Sequence, residues 1–139
     1  MKKDDCIFCK IAAGEIGSHT LYEDEDFRVI FDLNPGTKGH ALVIPKEHAD
    51  GIFDMDDETA SKVLVVAKKV ATAMKEAFKA DGFNIIQNNG ECAGQSVKHF
   101  HMHLFPRYEG DKALGLWKPG QTTDEELQAL EDKVKEILN

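Results

Sequence analysis

Three histidines alternate with three large apolar residues in "HFHMHLF", residues 99–105. Alternation with a period of two marks a half-buried β-strand, because successive side chains point to opposite faces. The sequence therefore predicts a strand over 97–105, with His99, His101 and His103 on one face and Phe100, Met102 and Leu104 on the other. Same-face neighbours lie about 6.6–6.8 Å apart along a strand, so the three rings form a row. The apolar face must pack on a core, which holds the imidazoles in register.

The rest of the chain supplies that core. Residues 6–13 read as a short helix. "TLYED" and "FRVIFDL" read as a hairpin, and "HALVIP" as a strand ended by Pro45. A long helix follows, started by Asp54 or Asp56. Val63, Val66, Ala67, Val70, Met74, Ala77 and Phe78 recur on one helical face, and Gly82 is available for a left-handed cap. "FNIIQNN" is a further strand. The tail from Thr122 or Thr123 to Leu138 is an amphipathic helix with Leu127, Leu130, Val134, Ile137 and Leu138 on one stripe. This order predicts an α+β fold with a five-stranded, mostly antiparallel meander sheet. A chain of 139 residues suits one domain, with 118–139 as a helical extension.

A formal net charge of −8 argues against a nucleic-acid partner, because that affinity rests on clustered Lys and Arg. No apolar run approaches the ~20 residues of a membrane span, and no signal peptide is visible in "MKKDDCIFCK". The expected address is cytoplasmic. In such a compartment "CIFC" is a metal site or a redox pair rather than part of a disulfide framework.

The histidine row admits several readings. It is a solvated strand face, or a zinc site with catalytic ligands, or a centre for phosphoryl or nucleotidyl transfer. Imidazole is largely unprotonated near neutral pH, and attack on phosphorus divides one hard displacement into two easier ones. The neighbouring loop favours this last reading. Gly94 lets backbone approach closely, Gln95 and Ser96 supply an amide and a hydroxyl, and Asn88 ends the adjacent strand. Transfer chemistry of this kind needs donors fixed around phosphorus.

"HFHMHLF" resembles the His-φ-His-φ-His-φ-φ signature of the histidine triad (HIT) family of nucleotide hydrolases and transferases. "CIFCKIAAGEI", "FDLNPGTKGHALVIPKEH" and "NNGECAGQSVKHFHMHLFPRY" extend the resemblance over roughly residues 6 to 108. Gly17 stands where a proline commonly follows "GEI", which touches a turn and not the chemistry. The tail after Trp117 lies outside the resemblance.

The resemblance implies His101 as the nucleophile attacking the α-phosphorus of a purine nucleotide, supported by His99 and His103, with His40 close by. It implies that Gln95, Ser96 and Asn88 serve the phosphate or leaving group, and that Asp32 binds the ribose hydroxyls. Ile7, Phe8, Ile11, Ile30 and Leu33 would line the purine pocket, although all five otherwise suit an ordinary core. The bacterial side of the family implies a structural zinc on Cys6, Cys9, His48 and His99, and the family fold implies a homodimer. The alternatives are a zinc-dependent hydrolase with the triad as ligands and a non-catalytic nucleotide-binding module.

Overall fold

The computed structural model of the chain describes residues 2–138. Five strands form one sheet: β1 Thr20–Glu23, β2 Phe27–Phe31, β3 Ala41–Pro45, β4 Gly82–Gln87 and β5 Met102–Arg107. The helices are α1 Ile7–Ala12, α2 Asp57–Phe78 and α3 Asp124–Leu138. Every neighbouring pair is antiparallel, in the order β1-β2-β3-β5-β4. The α+β sheet expected from the sequence is the one observed. It departs from a simple meander at one step, where β5 inserts between β3 and β4.

Each sheet face has its own apolar layer. On one, Phe27, Val29, Ala41, Val43, Phe100 and Leu104 meet Val63, Val66, Ala67, Val70 and Met74 of α2. On the other, Ile30, Leu42 and Ile44 meet Cys6, Phe8, Cys9 and Ala12 around α1. Burying a side chain of the Val, Leu or Phe type contributes about 1.5–3 kcal/mol. The α2 layer is therefore the anchor of β5. Met102 packs against this same layer, so the apolar face of the histidine strand is buried as its alternation predicts.

The ends of the elements differ from expectation where local hydrogen bonds compete. The predicted strand over 97–105 begins only at Met102. His99 N–H donates to Val97 O at 2.9 Å and Phe100 N–H donates to Ala49 O at 2.7 Å, which bends the chain before the strand starts. Asp56 caps α2 by accepting from Thr59 N–H at 2.7 Å. The left-handed residue at the other end is Lys79 (φ 53°), not Gly82, which lies within β4. Ala77, expected on the buried stripe, is exposed. Gly39 meets a real steric demand: its φ is +86°, and a Cβ there would sit 2.6 Å from the ring of Phe78. That glycine sets the chain into His40 and β3. The stripe of α3 is at least half exposed at Leu127, Leu130, Val134 and Ile137. Among the described residues no helix is long and apolar enough to cross a membrane.

Candidate active site and metal centre

The imidazoles of His101 and His103 lie on the α1 side of the sheet with ring centroids 4.9 Å apart. Cross-strand pairing sets His103 opposite Leu42. The edge of Phe8 meets the His101 ring at 5.0 Å. Phe105 continues the alternation on the same face and stacks on His103 at 5.4 Å and on His40 at 3.9 Å. The sequence reading passed over Phe105, although the period-two pattern running on from His103 points to it.

Hydrogen bonds fix the tautomers. A carbonyl only accepts, so the 2.8 Å contact from His101 Nδ1 to His99 O puts the proton on Nδ1 and leaves a lone pair on Nε2. Gly36 N–H donates to His40 Nδ1 at 3.1 Å. His40 Nε2 therefore carries a proton and donates it to His103 Nδ1 at 2.9 Å. His103 is left with Nε2–H. The row thus presents a lone pair on His101 beside an N–H on His103.

Burial holds all three of these rings below the usual histidine range, and His103 is lowered to about 4. Asp32 lies 3.7 Å from His40 Nδ1 and pulls the other way. Desolvation prevails, and that nitrogen already accepts from Gly36, so the two do not form an ion pair.

His103 also makes stability depend on pH. Its folded pKa lies below its unfolded value, so the unfolded chain binds the proton more readily between them. Stability from this residue is complete above pH 6.5 and is lost as pH falls toward 4. Lowering the pH from 7 to 5 should cost about 1–2 kcal/mol through this group. Urea unfolding of wild type and His103→Gln at both pH values checks this, and an equally steep loss in the variant would count against it.

A cleft of about 460 Å³ lies on the α1 side, within the size range of ligand pockets. Ile7, Phe8, Ile11, Ile30, Asp32, Leu33 and Ser96 line it, all of them sequence candidates. Leu42 and Val97 join them and were missed; a strand over "ALVIP" turns every second residue to one face, which marks the first. Asp32 Oδ1 accepts from Asn34 N–H at 2.8 Å, and the carboxylate retains further acceptor sites. Asn88 is half-buried, with its amide over Gly94, where a Cβ would lie 3.4 Å from Nδ2. Gln95 departs from its expected place. Its amide bonds Asp50 O, Val97 O and Gly90 N–H instead of facing the histidines.

His99 faces a second cluster, with Cys6, Cys9 and His48. Cys6 Sγ and Cys9 Sγ lie 3.3 and 3.4 Å from His99 Nδ1, and Cys9 Sγ lies 3.3 Å from His48 Nδ1. The two Nδ1 atoms are 3.2 Å apart. His99 Nε2 donates to Pro45 O at 2.8 Å, and His48 Nε2 meets Asp50 Oδ1 at 2.7 Å. Both imidazoles therefore aim Nδ1 lone pairs at one point, where a cation relieves their opposition. Tetrahedral zinc with these ligands has edges of about 3.3–3.8 Å, so the donor set fits it. Asp50 completes the carboxylate–histidine pairing common around such metals. Backbone N–H groups of Lys3 and Cys9 also donate to Cys9 Sγ and Cys6 Sγ, both at 3.3 Å. Burial raises the Cys9 thiol, and a bound cation would reverse that by favouring the thiolate. His99 is lowered to about 4, chiefly by burial, so its ring is neutral and able to ligate at pH 7.

The fold and the row place the chain among α+β proteins built around a histidine strand. The HIT domain family profile matches residues 13–110. A crystal structure of a HIT family protein from Bacillus anthracis is 45% identical, with a TM-score of 0.91, over 98% of this chain and 99% of that one. Adenosine 5'-monophosphoramidase HNT1 of Candida albicans is 38% identical over 96% of this chain and 91% of its own length. A Zn-bound histidine triad family protein from Mycobacterium smegmatis is 37% identical, with a TM-score of 0.75, over 96% of this chain and 95% of that one. The chain belongs to the HIT family.

Proposed function

We propose that the protein is a nucleotide hydrolase or nucleotidyl transferase acting at the α-phosphate of purine nucleotides, of the adenosine phosphoramidate or dinucleoside polyphosphate class. The observation that carries this reading is the His101 Nε2 lone pair beside the His103 Nε2–H, next to a cleft lined by Asp32 and apolar side chains. His101 Nε2 attacks phosphorus as the bond to the leaving group breaks. The leaving group takes a proton, for which His103 Nε2–H is the adjacent source. Water then attacks the phosphorus and passes a proton back to His103 Nε2, the P–N bond breaks, and nucleoside monophosphate leaves with His101 and His103 restored. His40 acts through His103 by fixing its tautomer. The relatives named adenosine 5'-monophosphoramidase support this class of substrate.

Asp32 in this reading accepts from the ribose hydroxyls. Asp32→Ala should weaken nucleotide binding by ~1.5–3 kcal/mol, or roughly 10- to 150-fold, while the fold persists. Titration with ribo- and deoxyribonucleotides measures it, and unchanged discrimination between them would place Asp32 outside the ribose site.

The metal in this reading is one structural zinc on Cys6, Cys9, His48 and His99, which joins α1 to the chain after β3 and to the start of the triad. Residues 1–139 form a single HIT domain, with 118–139 as its C-terminal helical extension. A homodimer is supported by the open edge of β4 with exposed Ile85 and by exposed Leu64 and Val65 on α2. A cytoplasmic address is supported by the unpaired Cys6 and Cys9. The formal net charge of −8 supports partners other than nucleic acid, and no membrane partner is proposed. A panel of adenylated amines and dinucleoside polyphosphates, with monophosphate release measured, tests the activity; reversible binding without release would reject it in favour of a binding module.

A further inference from the structure

One side chain stitches the loop beside the histidines to the segment that carries the metal ligand His48. Gln95 Oε1 accepts from Gly90 N–H at 2.8 Å, closing the loop over residues 90–95. Its Nε2 donates to Val97 O at 3.0 Å and across to Asp50 O. Both amide hydrogens and the oxygen are thereby used. The Asp50 carboxylate meets His48 Nε2 at 2.7 Å, and His48 Nδ1 belongs to the Cys₂His₂ cluster. A parallel stitch runs from Ile52 N–H to Asn89 Oδ1 at 2.7 Å. Ser96, which lines the cleft, lies between Gln95 and Val97.

We propose that Gln95 is a positioning residue that couples the Cys6–Cys9–His48–His99 centre to the loop presenting Ser96, and that it does not touch the substrate. The linkage has a direct physical path. Pulling Asp50 O toward Gln95 holds the backbone from which the Asp50 carboxylate orients His48. Holding Val97 O and Gly90 N–H fixes the backbone on both sides of Ser96. The consequence for turnover rests on the nucleotidyl-transfer reading, whereas the consequence for metal retention does not.

The test uses zinc-loaded full-length protein. Gln95→Met keeps the side-chain length and removes all three bonds, and Gln95→Glu keeps the acceptor but loses both donors. Zinc release to a chelator should be about ten-fold faster in both, the scale of outer-shell effects on metal sites. Monophosphate release should fall by one common factor for substrates with an amine and with a nucleotide leaving group. Zinc release within about two-fold of wild type in a folded variant would overturn the coupling, since outer-shell losses are typically larger. A loss that depends on the leaving group would show that Gln95 touches it, which also overturns the proposal. Wild-type protein gives a test that needs no variant: saturating adenosine 5'-monophosphate should tighten zinc binding at equilibrium, because coupling between binding sites is reciprocal. Unchanged zinc affinity with the nucleotide bound would overturn the proposal. Failure of the nucleotide to bind would count against the nucleotide reading alone, and the release rates of the variants would then decide.

Discussion

His101→Asn should lower turnover by at least about 10³-fold, on the scale seen when a nucleophile is removed, while leaving nucleotide affinity and the unfolding midpoint close to wild type. The expectation follows from what His101 does and does not hold. Its Nδ1–H bond to His99 O aims the ring, and its Nε2 holds no hydrogen bond among the described residues. Asn can replace part of the first bond but cannot supply the attacking nitrogen. His103→Asn should be milder, because it removes a donor and leaves the bond-forming atom in place. Single-turnover release of labelled monophosphate separates the two. Wild-type-like turnover in His101→Asn would reject His101 as the attacking group.

The double variant Cys6→Ser, Cys9→Ser should lose metal and stability together, since binding free energy at such a site is folding free energy. A metal present at about 1,000 times its dissociation constant stabilises by about 4 kcal/mol, which corresponds to roughly 10–20 °C in Tm for a domain near this size. The centre joins segments far apart in sequence: Cys6 at the N-cap of α1 and Cys9 in its first turn, His48 after β3, and His99 before β5. Its loss should also reach His101, because the His99 carbonyl accepts from that ring. Metal analysis and thermal unfolding check both parts, and full zinc occupancy in the double variant would contradict the assignment.

The period-two alternation was enough to place the triad strand and its two faces, and the 3.6-residue recurrence was enough to place α2. Both are local patterns of burial, which a single sequence records. The predicted start of the strand at residue 97 was too early because His99 answers to distant groups. Its ring turns into a cluster with Cys6, Cys9 and His48, and its backbone folds back on Val97. Alternation alone carries no trace of that. The cysteine–histidine set was legible only through family resemblance, since its members are separated by tens of residues. Gln95 shows the opposite difficulty. A glutamine in a Gly-rich loop serves a phosphate or a backbone equally well by type, and only the fold sets its amide against Asp50 O and Val97 O. At Lys79 a lysine takes the left-handed cap, where residue preference had pointed to Gly82.

The central claim is a covalent bond between nucleotide phosphorus and His101 Nε2. The most direct measurement is to quench wild-type protein during turnover of an adenylated amine, digest it, and map the adduct by mass spectrometry. The account predicts an acid-labile, base-stable nucleotidyl group on His101, absent from His101→Asn. Turnover with no adduct, or an adduct on any other residue, would contradict it.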